Sequence, residues 1–143
     1  MTVVLDSWAV IGYLENTDPA AMAVGALLEA ERPVMSWINL GEVFSVVRRH
    51  FGEDAASSTI RDLRSEITME LPSEDRVVAA ARMKAEFPLA YADAFAAATA
   101  IGLDATLWTG DPELLVTPAP WRWRDLRWTA SAGSPADRVE ETL

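Results

Sequence analysis

Short apolar runs alternate with longer helical patterns along this chain, and this alternation restricts its fold more than any other feature of the sequence. Thr2–Leu5 is a β-branched and aliphatic run too brief for a helix, and Val34–Ser36 and Ala105–Thr109 are similar. Between these runs, apolar residues recur at helical spacing, as in Ala20–Glu31 and Ala55–Glu66. Strands that alternate with helices pair in parallel and carry helices on both faces. The sequence therefore predicts an α/β fold with a short central parallel sheet.

Capping and helix-breaking residues predict where the other elements begin and end. Ser73 is followed by two acidic residues, which suit the first turn of a helix, and this helix is expected to reach Phe87. Tyr91–Ile101 is an alanine-dense run and is predicted to be a helix that Gly102 closes. Two further helices are predicted, one from Trp8 to Leu14 and one from Leu40 to about Phe51. A minor strand is predicted at Ile67–Leu71 and a last edge strand within Trp121–Trp128. Between them, a turn at 110–112 is expected to start one short helical turn that extends through Leu115.

The length of the chain predicts its domain organisation. At 143 residues, half of them hydrophobic, it has the size of one domain with a sizeable core. We expect this folded domain to span residues 1–128. Residues 129–143 contain Ala-Gly-Ser-Pro and several acids, and they are expected to form a flexible acidic tail. No internal repeat is evident.

Composition limits the sites and partners that this chain can have. The absence of cysteine excludes disulfides, thiolate zinc sites and a cysteine nucleophile, and it fits a reducing cytoplasm. The N-terminus has no basic region or apolar leader, and no apolar run approaches the roughly 20 residues of a membrane span. We therefore expect an unprocessed, soluble, cytoplasmic protein without membrane contact. The net charge of −10 repels nucleic acid unless bound cations change the local potential, and it would attract a basic partner.

Four carboxylates lie where a predicted strand ends or a predicted helix begins: Asp6, Glu42, Asp93 and Asp111. The carboxyl ends of parallel strands face one crevice, so these side chains are expected to converge there. Burial of several carboxylates is unfavourable unless a positive charge compensates, and their oxygens suit Mg²⁺ or Mn²⁺. Each acid also has a structural interpretation. Asp6 and Asp93 could cap helices, Asp111 could be a turn residue, and Glu42 could be solvated on its helix.

Several other chemistries lack their residues in this sequence. There is no dinucleotide-binding G-x-G-x-x-G, no phosphate-binding G-x-x-x-x-G-K-[ST] and no nucleophile-elbow G-x-S-x-G. No aspartate stands two residues after Asp6, which argues against an aspartyl-phosphate phosphatase. His50 is the only histidine, and it follows Arg48 and Arg49 at the end of a predicted helix. A structural role near the last helical carbonyls is expected for it.

Four segments in order carry a resemblance to a known family: Val4-Leu5-Asp6-Ser7, Glu42 in the helix after the second strand, Leu89–Ala98 and Leu107–Asp111. Together they resemble the PIN-domain nucleases, and within them the VapC-type toxins of bacterial toxin–antitoxin pairs. The resemblance extends from Thr2 to Trp128 and implies a PIN-like fold. It also implies that Thr109 supports the site and that Glu113 is an accessory acid. The metal-binding, catalytic acids that it implies are Asp6, Glu42, Asp93 and Asp111.

The resemblance implies a metal-dependent endoribonuclease that hydrolyses phosphodiester bonds of single-stranded or looped RNA with Mg²⁺ or Mn²⁺. Such a toxin would have a cognate antitoxin, a small protein that lies in an apolar groove and reaches the acids with a basic side chain. A homodimer is usual in this family. The alternative is a catalytically silent PIN-like module that only binds protein. A receiver-like domain would need a lysine near the crevice, and the only lysine, Lys84, is in the middle of a predicted helix.

Aromatic and basic residues are candidates for contacts outside the acid cluster. Trp8 and Trp37 lie near the proposed crevice and are candidates for partner contact. Trp121 and Trp123 share a face if they are extended, and core or edge packing is expected for them. The candidate phosphate contacts are Arg48, Arg49, Arg61, Arg64, Arg122, Arg124 and Arg127.

Overall fold

A computed structural model of the protein describes residues 2–128 and 139–140. Within these residues, each of the first three strands is followed by two helices, and the last three strands follow one another without a helix between them. The strands are β1 Val3–Leu5, β2 Val34–Ser36, β3 Thr68–Glu70, β4 Thr106–Thr109, β5 Arg122–Asp125 and β6 Val139–Glu140. The helices are α1 Ser7–Leu14, α2 Ala20–Ala30, α3 Trp37–Phe51, α4 Glu53–Glu66, α5 Glu74–Glu86 and α6 Tyr91–Gly102.

The described strands form one sheet in the order β3-β2-β1-β4-β5-β6. The strands from β3 to β5 in this order are parallel, and β6 runs antiparallel beside β5. β1 and β4 are neighbours in the middle of the sheet, with Leu5 paired to Trp108. Asp6 directly follows β1 and Thr109 ends β4, so both lie at the carboxyl edge of the sheet. The predicted α/β fold with a central parallel sheet is confirmed.

Each face of the sheet carries its own hydrophobic core, because successive residues of a strand point to opposite sides. Val4 belongs to a core that contains Leu107 of β4 and the buried alanines of α6. Val3 and Leu5 belong to the core on the other face, which is built with apolar residues of α1, α2, α3 and α4. Residues 93–100 of α6 are buried throughout. Their small side chains let this helix, which carries Asp93, pack closely on the sheet.

Gly102 is the last residue of α6, so the helix ends where the sequence predicts. Leu103 is its C-cap, and Asp104, rather than the glycine, takes the left-handed conformation with φ 51°. Gly102 also leaves room for Arg76, whose Nη1 would lie 1.8 Å from a Cβ at this position. The Arg76 guanidinium is fixed there because Nε donates to Glu70 at 2.7 Å and Nη1 donates to the Ala98 carbonyl at 3.2 Å.

The last parallel strand has neighbours on both sides. A strand within Trp121–Trp128 is confirmed as β5, but it is not an edge strand, because Arg124 pairs with Val139 of β6. The chain returns to the sheet beyond the predicted folded domain. Apart from Val139–Glu140, the tail predicted at residues 129–143 lies outside the described residues. No helix in the described part of the chain has the length and apolar character needed to cross a membrane.

Candidate metal centre

Asp6 is buried directly after the central strand β1, with 1% of its surface exposed. It caps α1, because Oδ1 accepts a hydrogen bond from the Ala9 N–H at 2.9 Å. Its Oδ2 accepts a hydrogen bond from the hydroxyl of Thr109. Burial, and then the charges of Asp111 and Glu42, raise the pKa of Asp6 from 3.8 to about 7 despite these bonds. The ionised carboxylate is therefore unfavourable here without a compensating positive charge.

Thr109 connects Asp6 to the turn that follows β4. Its hydroxyl oxygen accepts a hydrogen bond from the Asp111 N–H at 3.0 Å. The carboxylate of Asp111 accepts from the Glu113 N–H at 3.0 Å, and its carbonyl accepts from the Leu114 N–H at 3.0 Å. The single short turn predicted here is present over residues 112–114, and it ends one residue before Leu115. Two side chains accept from backbone N–H groups of the turn and fix its shape.

Asp93 lies in the first turn of α6 with 7% of its surface exposed. Burial raises its pKa to about 8, and a hydrogen bond with Glu113 and the charges of Asp111 and Asp6 act in the same direction. Asp93 does not cap the helix, whose N-cap is Ala90. The Ala90 N–H donates to Glu113 Oε2 at 3.2 Å. This bond, and then the one with Asp93, lowers the pKa of Glu113.

Three of these acids form a compact group that fits a metal ion. One carboxylate oxygen from each of Asp93, Asp111 and Glu113 lies within 4.8 Å of the others. Hard divalent cations prefer oxygen ligands of this kind. The raised pKa of Asp93 also indicates an excess of negative charge, which a cation would relieve. Glu113, for which the sequence implied only an accessory role, is a full member of this group.

Glu42 lies on the wall of the same site but outside that compact group. It is half-buried in α3, and its Oε1 accepts a hydrogen bond from the Ser7 hydroxyl at 2.6 Å. Ser7 follows Asp6, so this bond ties α3 to the start of α1. Its carboxylate is close enough to raise the pKa of Asp6. The structure thus brings the four acids selected from the sequence to one place.

The acids surround a pocket of about 490 Å³. Asp6 lies below its surface, while the other acids contribute to its lining. No arginine, lysine or histidine belongs to the described lining. The pocket is therefore strongly electronegative without a cation. The residues that line it are Ser7, Trp8, Ile11, Glu42, Ala90, Asp93, Asp111, Pro112 and Glu113.

The other candidates lie outside this pocket. His50 is in the last turn of α3, as expected for a structural role. Trp121 and Trp123 donate their indole N–H groups to the carbonyls of Leu114 and Val116, so their expected packing role is confirmed. Five of the candidate arginines have local partners. Three form ion pairs, which are Arg48 with Glu53, Arg122 with Asp104 and Arg127 with Asp125. Two lie over indole rings, Arg64 over Trp37 and Arg124 over Trp108.

Sequence reasoning missed Asn39, which connects the helix of Glu42 to the residue before Asp93. Asn39 is fully buried on α3, one turn before Glu42. Its Nδ2 donates to the Ala92 carbonyl at 3.0 Å, next to Asp93. Its Oδ1 is buried without a hydrogen-bond partner among the described residues. A polar residue three positions before Glu42, on the apolar stripe of the helix, was the available signal.

Comparison with known proteins agrees with this fold. The model of the PIN domain matches residues 3–119 of the chain. No curated protein matches it. The chain is also similar to solved structures, and because their sequence identities to it are low, this similarity shows the fold alone. VapBC-1 from nontypeable Haemophilus influenzae is 24% identical with a TM-score of 0.69, and the match covers 90% of this chain and 100% of that one. DNA-bound VapBC from Salmonella typhimurium is 14% identical with a TM-score of 0.71, and the match covers 88% of this chain and 98% of that one. The sarcin–ricin loop cleaving toxin VapC20 from Mycobacterium tuberculosis is 16% identical with a TM-score of 0.65, and the match covers 79% of this chain and 92% of that one.

Proposed function

The chain belongs to the PIN domain family, and on that premise we propose that it is a metal-dependent endoribonuclease and the toxin of a toxin–antitoxin pair. The observation that carries this proposal is the close approach of Asp93, Asp111 and Glu113, whose carboxylate oxygens lie within 4.8 Å of one another. Buried acids with raised pKa values at one pocket are typical of a site that binds a cation or performs proton transfer. A domain over residues 1–128 would contain the whole site.

In the proposed mechanism, some of the acids bind the cation and another accepts a proton. Asp93, Asp111 and Glu113 would bind Mg²⁺ or Mn²⁺, and Asp6 would add its charge from below. The ion would polarise a phosphoryl oxygen and lower the pKa of water. Glu42, which accepts a hydrogen bond from Ser7 in the pocket wall, would accept a proton from the water that attacks phosphorus. The bond from phosphorus to the 3′ oxygen would break, which leaves a 5′-phosphate on one product and a 3′ oxygen that takes a proton from solvent on the other.

The position of the acids favours an unpaired RNA substrate. Asp6 and Asp93 are buried, with 1% and 7% of their surfaces exposed, so a single-stranded or looped backbone, which can bend toward them, reaches the acids more readily than a duplex. VapC20, which has the same fold, is described as cleaving the sarcin–ricin loop. This likeness supports RNA as the substrate class.

An antitoxin partner is supported by the related complexes and by charge. Two of the structures with this fold are VapBC assemblies. The net charge of −10 favours a partner whose basic side chain reaches the acid pocket. A groove lined by Trp37, Leu40, Phe44 and Ile60 gives an apolar segment of that partner a surface to bind. The homodimer that is usual for VapC-type toxins belongs to the same proposal.

Cleavage of single-stranded RNA with Mg²⁺ or Mn²⁺ tests the proposed function. Asp93→Asn should lower the rate by about 100-fold or more, the effect of removing one group that stabilises transition-state charge. It should also abolish the calorimetric heat of Mn²⁺ binding. Asp62→Asn, which changes an exposed acid on α4, is the matched control and should cleave normally. An Asp6→Ala protein that cleaves RNA normally would contradict the mechanism, and the absence of both cleavage and Mn²⁺ binding would favour the silent module.

A further inference from the structure

An aromatic side chain forms part of the wall of the acid pocket. Trp8 lies in the first turn of α1, two residues after Asp6, and lines the pocket together with Asp93 and Asp111. It is half-buried, because part of its ring packs against the core that contains Leu5. The rest of the ring is available to a molecule in the pocket.

The Trp8 ring is held in place by the backbone of the turn that carries Asp111. A Cβ at Gly110 would lie 2.3 Å from both Cη2 and Cζ2 of the ring and 2.6 Å from Cζ3. These ring atoms therefore lie directly across Gly110, at a distance that only a residue without a side chain permits. Gly110 is itself between Thr109 and Asp111, whose hydrogen bond fixes the turn. The indole is thus positioned before any ligand binds.

Among the residues that the structure describes, no cationic side chain lines the pocket to bind a phosphate. Its described lining contains carboxylates, small or apolar residues and Trp8, and no arginine or lysine. A bound cation can neutralise one phosphate, but it does not hold the neighbouring nucleoside. A neutral aromatic surface does so without any charge, because every nucleobase has a face that stacks on it.

We propose that Trp8 is the base-binding platform of this site, on which an unpaired nucleobase next to the scissile phosphate stacks. This inference rests on the proposed function and names how that site recognises its substrate. A base inside a duplex is already stacked on its neighbours, so the platform selects unpaired RNA. Stacking tolerates any base, so Trp8 contributes affinity rather than sequence preference.

Steady-state cleavage of a short single-stranded RNA by Trp8→Leu tests the proposal. Leucine keeps apolar packing but removes the aromatic face, so KM should rise by about 10- to 100-fold, the range that follows from losing one stacked base. Mn²⁺ affinity measured by calorimetry should stay unchanged, since the acids are retained. Trp8→Phe should recover most of the lost affinity. Trp128→Leu, at an exposed tryptophan outside the acid pocket, is the control and should leave KM unchanged.

A second measurement needs neither metal nor catalysis. The six tryptophan indoles of the wild-type protein are labelled with ¹⁵N and observed by NMR while adenosine, an uncharged nucleoside, is added in the presence of EDTA. The signal that is missing from Trp8→Phe identifies Trp8. We expect the Trp8 indole signal to shift and that of Trp128 to stay in place. The proposal is overturned if Trp8→Leu cleaves RNA with a KM within about twofold of wild type, or if adenosine leaves the Trp8 signal unmoved. If wild-type protein fails to cleave RNA, the proposed function fails, and the titration alone decides the role of Trp8.

Discussion

The hydroxyl of Thr109 donates a hydrogen bond to the carboxylate of Asp6, although 103 positions separate these residues in the sequence. The parallel pairing of β1 with β4 brings them side by side at the edge of the sheet. The same hydroxyl oxygen accepts from the Asp111 N–H at 3.0 Å. One small side chain therefore links the most buried acid to the turn that supplies another.

Replacing Thr109 with valine should weaken both the fold and the site. The valine has nearly the same shape but leaves the Asp111 N–H and one Asp6 oxygen without their partner. We expect the free energy of unfolding to fall by about 1–3 kcal/mol, as measured by urea denaturation, and Mn²⁺ affinity to fall with it. Thr109→Ser keeps the hydroxyl and is the control. Equal stability and equal Mn²⁺ affinity of the two variants would contradict this role of the hydroxyl.

The metal-free protein should lose stability as the pH rises through neutrality. The pKa of Asp6 is about 7 and that of Asp93 about 8 in the folded state, against 3.8 ordinarily. Between these values the folded protein keeps protons that the unfolded chain has released, so the free energy of unfolding decreases with pH. Melting temperatures in EDTA from pH 4 to pH 8 measure this slope. Asp6→Asn should have a shallower slope than Asp62→Asn, and identical slopes would argue against the raised pKa of Asp6.

Divalent cations should stabilise the protein, and more strongly at high pH. A ligand that binds only the folded state raises the free energy of unfolding with its concentration, and protons compete with a metal for carboxylate oxygens. The rise in melting temperature with Mn²⁺ should therefore be larger at pH 8, where Asp93 begins to ionise, than at pH 6. Glu113→Gln should reduce the rise, and Glu29→Gln, at an exposed position on α2, should not. An unchanged rise in Glu113→Gln would exclude Glu113 as a ligand.

Adding one methyl group at Gly110 should destabilise the protein through Trp8. The new Cβ would lie 2.3 Å from the indole, so the ring or the turn must move, at a loss of about 1–3 kcal/mol. Gly41→Ala is the control, because nothing lies within 4 Å of its new Cβ and alanine favours the helix. A double-mutant cycle by urea denaturation tests the cause, since Trp8→Ala should remove most of the penalty of Gly110→Ala. Additive effects would show that the clash is not with Trp8.

Sequence patterns were sufficient for the strands, most helices and the convergence of the acids. Val3–Leu5 and the strands that pair with it are short, mainly apolar runs. Such runs are too short to form a helix, so they are buried as strands in the middle of a sheet. Asp6 directly follows one of these strands, so the geometry of a parallel sheet places it at the crevice. Asp93 reaches the same point because the small residues of its helix allow close packing.

Features that depend on contacts between distant segments could not be predicted from local patterns. Gly102 ends its helix as predicted, but the close approach of Arg76 to it leaves no signal in the local sequence. Glu113 enters the acid group because its position is set by the turn at Asp111 and by the N–H of Ala90. Local spacing carries no information about which remote side chain fills a given space.

Because a protein is synthesised from its N-terminus, β1 is made well before its neighbour β4. A partly made chain on the ribosome already contains Asp6, Glu42 and Asp93, but the strand that ends in Thr109 is still missing. Until β4 emerges and takes its place beside β1, Asp6 has no hydroxyl to hold it and the turn with Asp111 does not exist. The complete group of acids can therefore form only after the chain has been synthesised beyond Asp111 and Glu113.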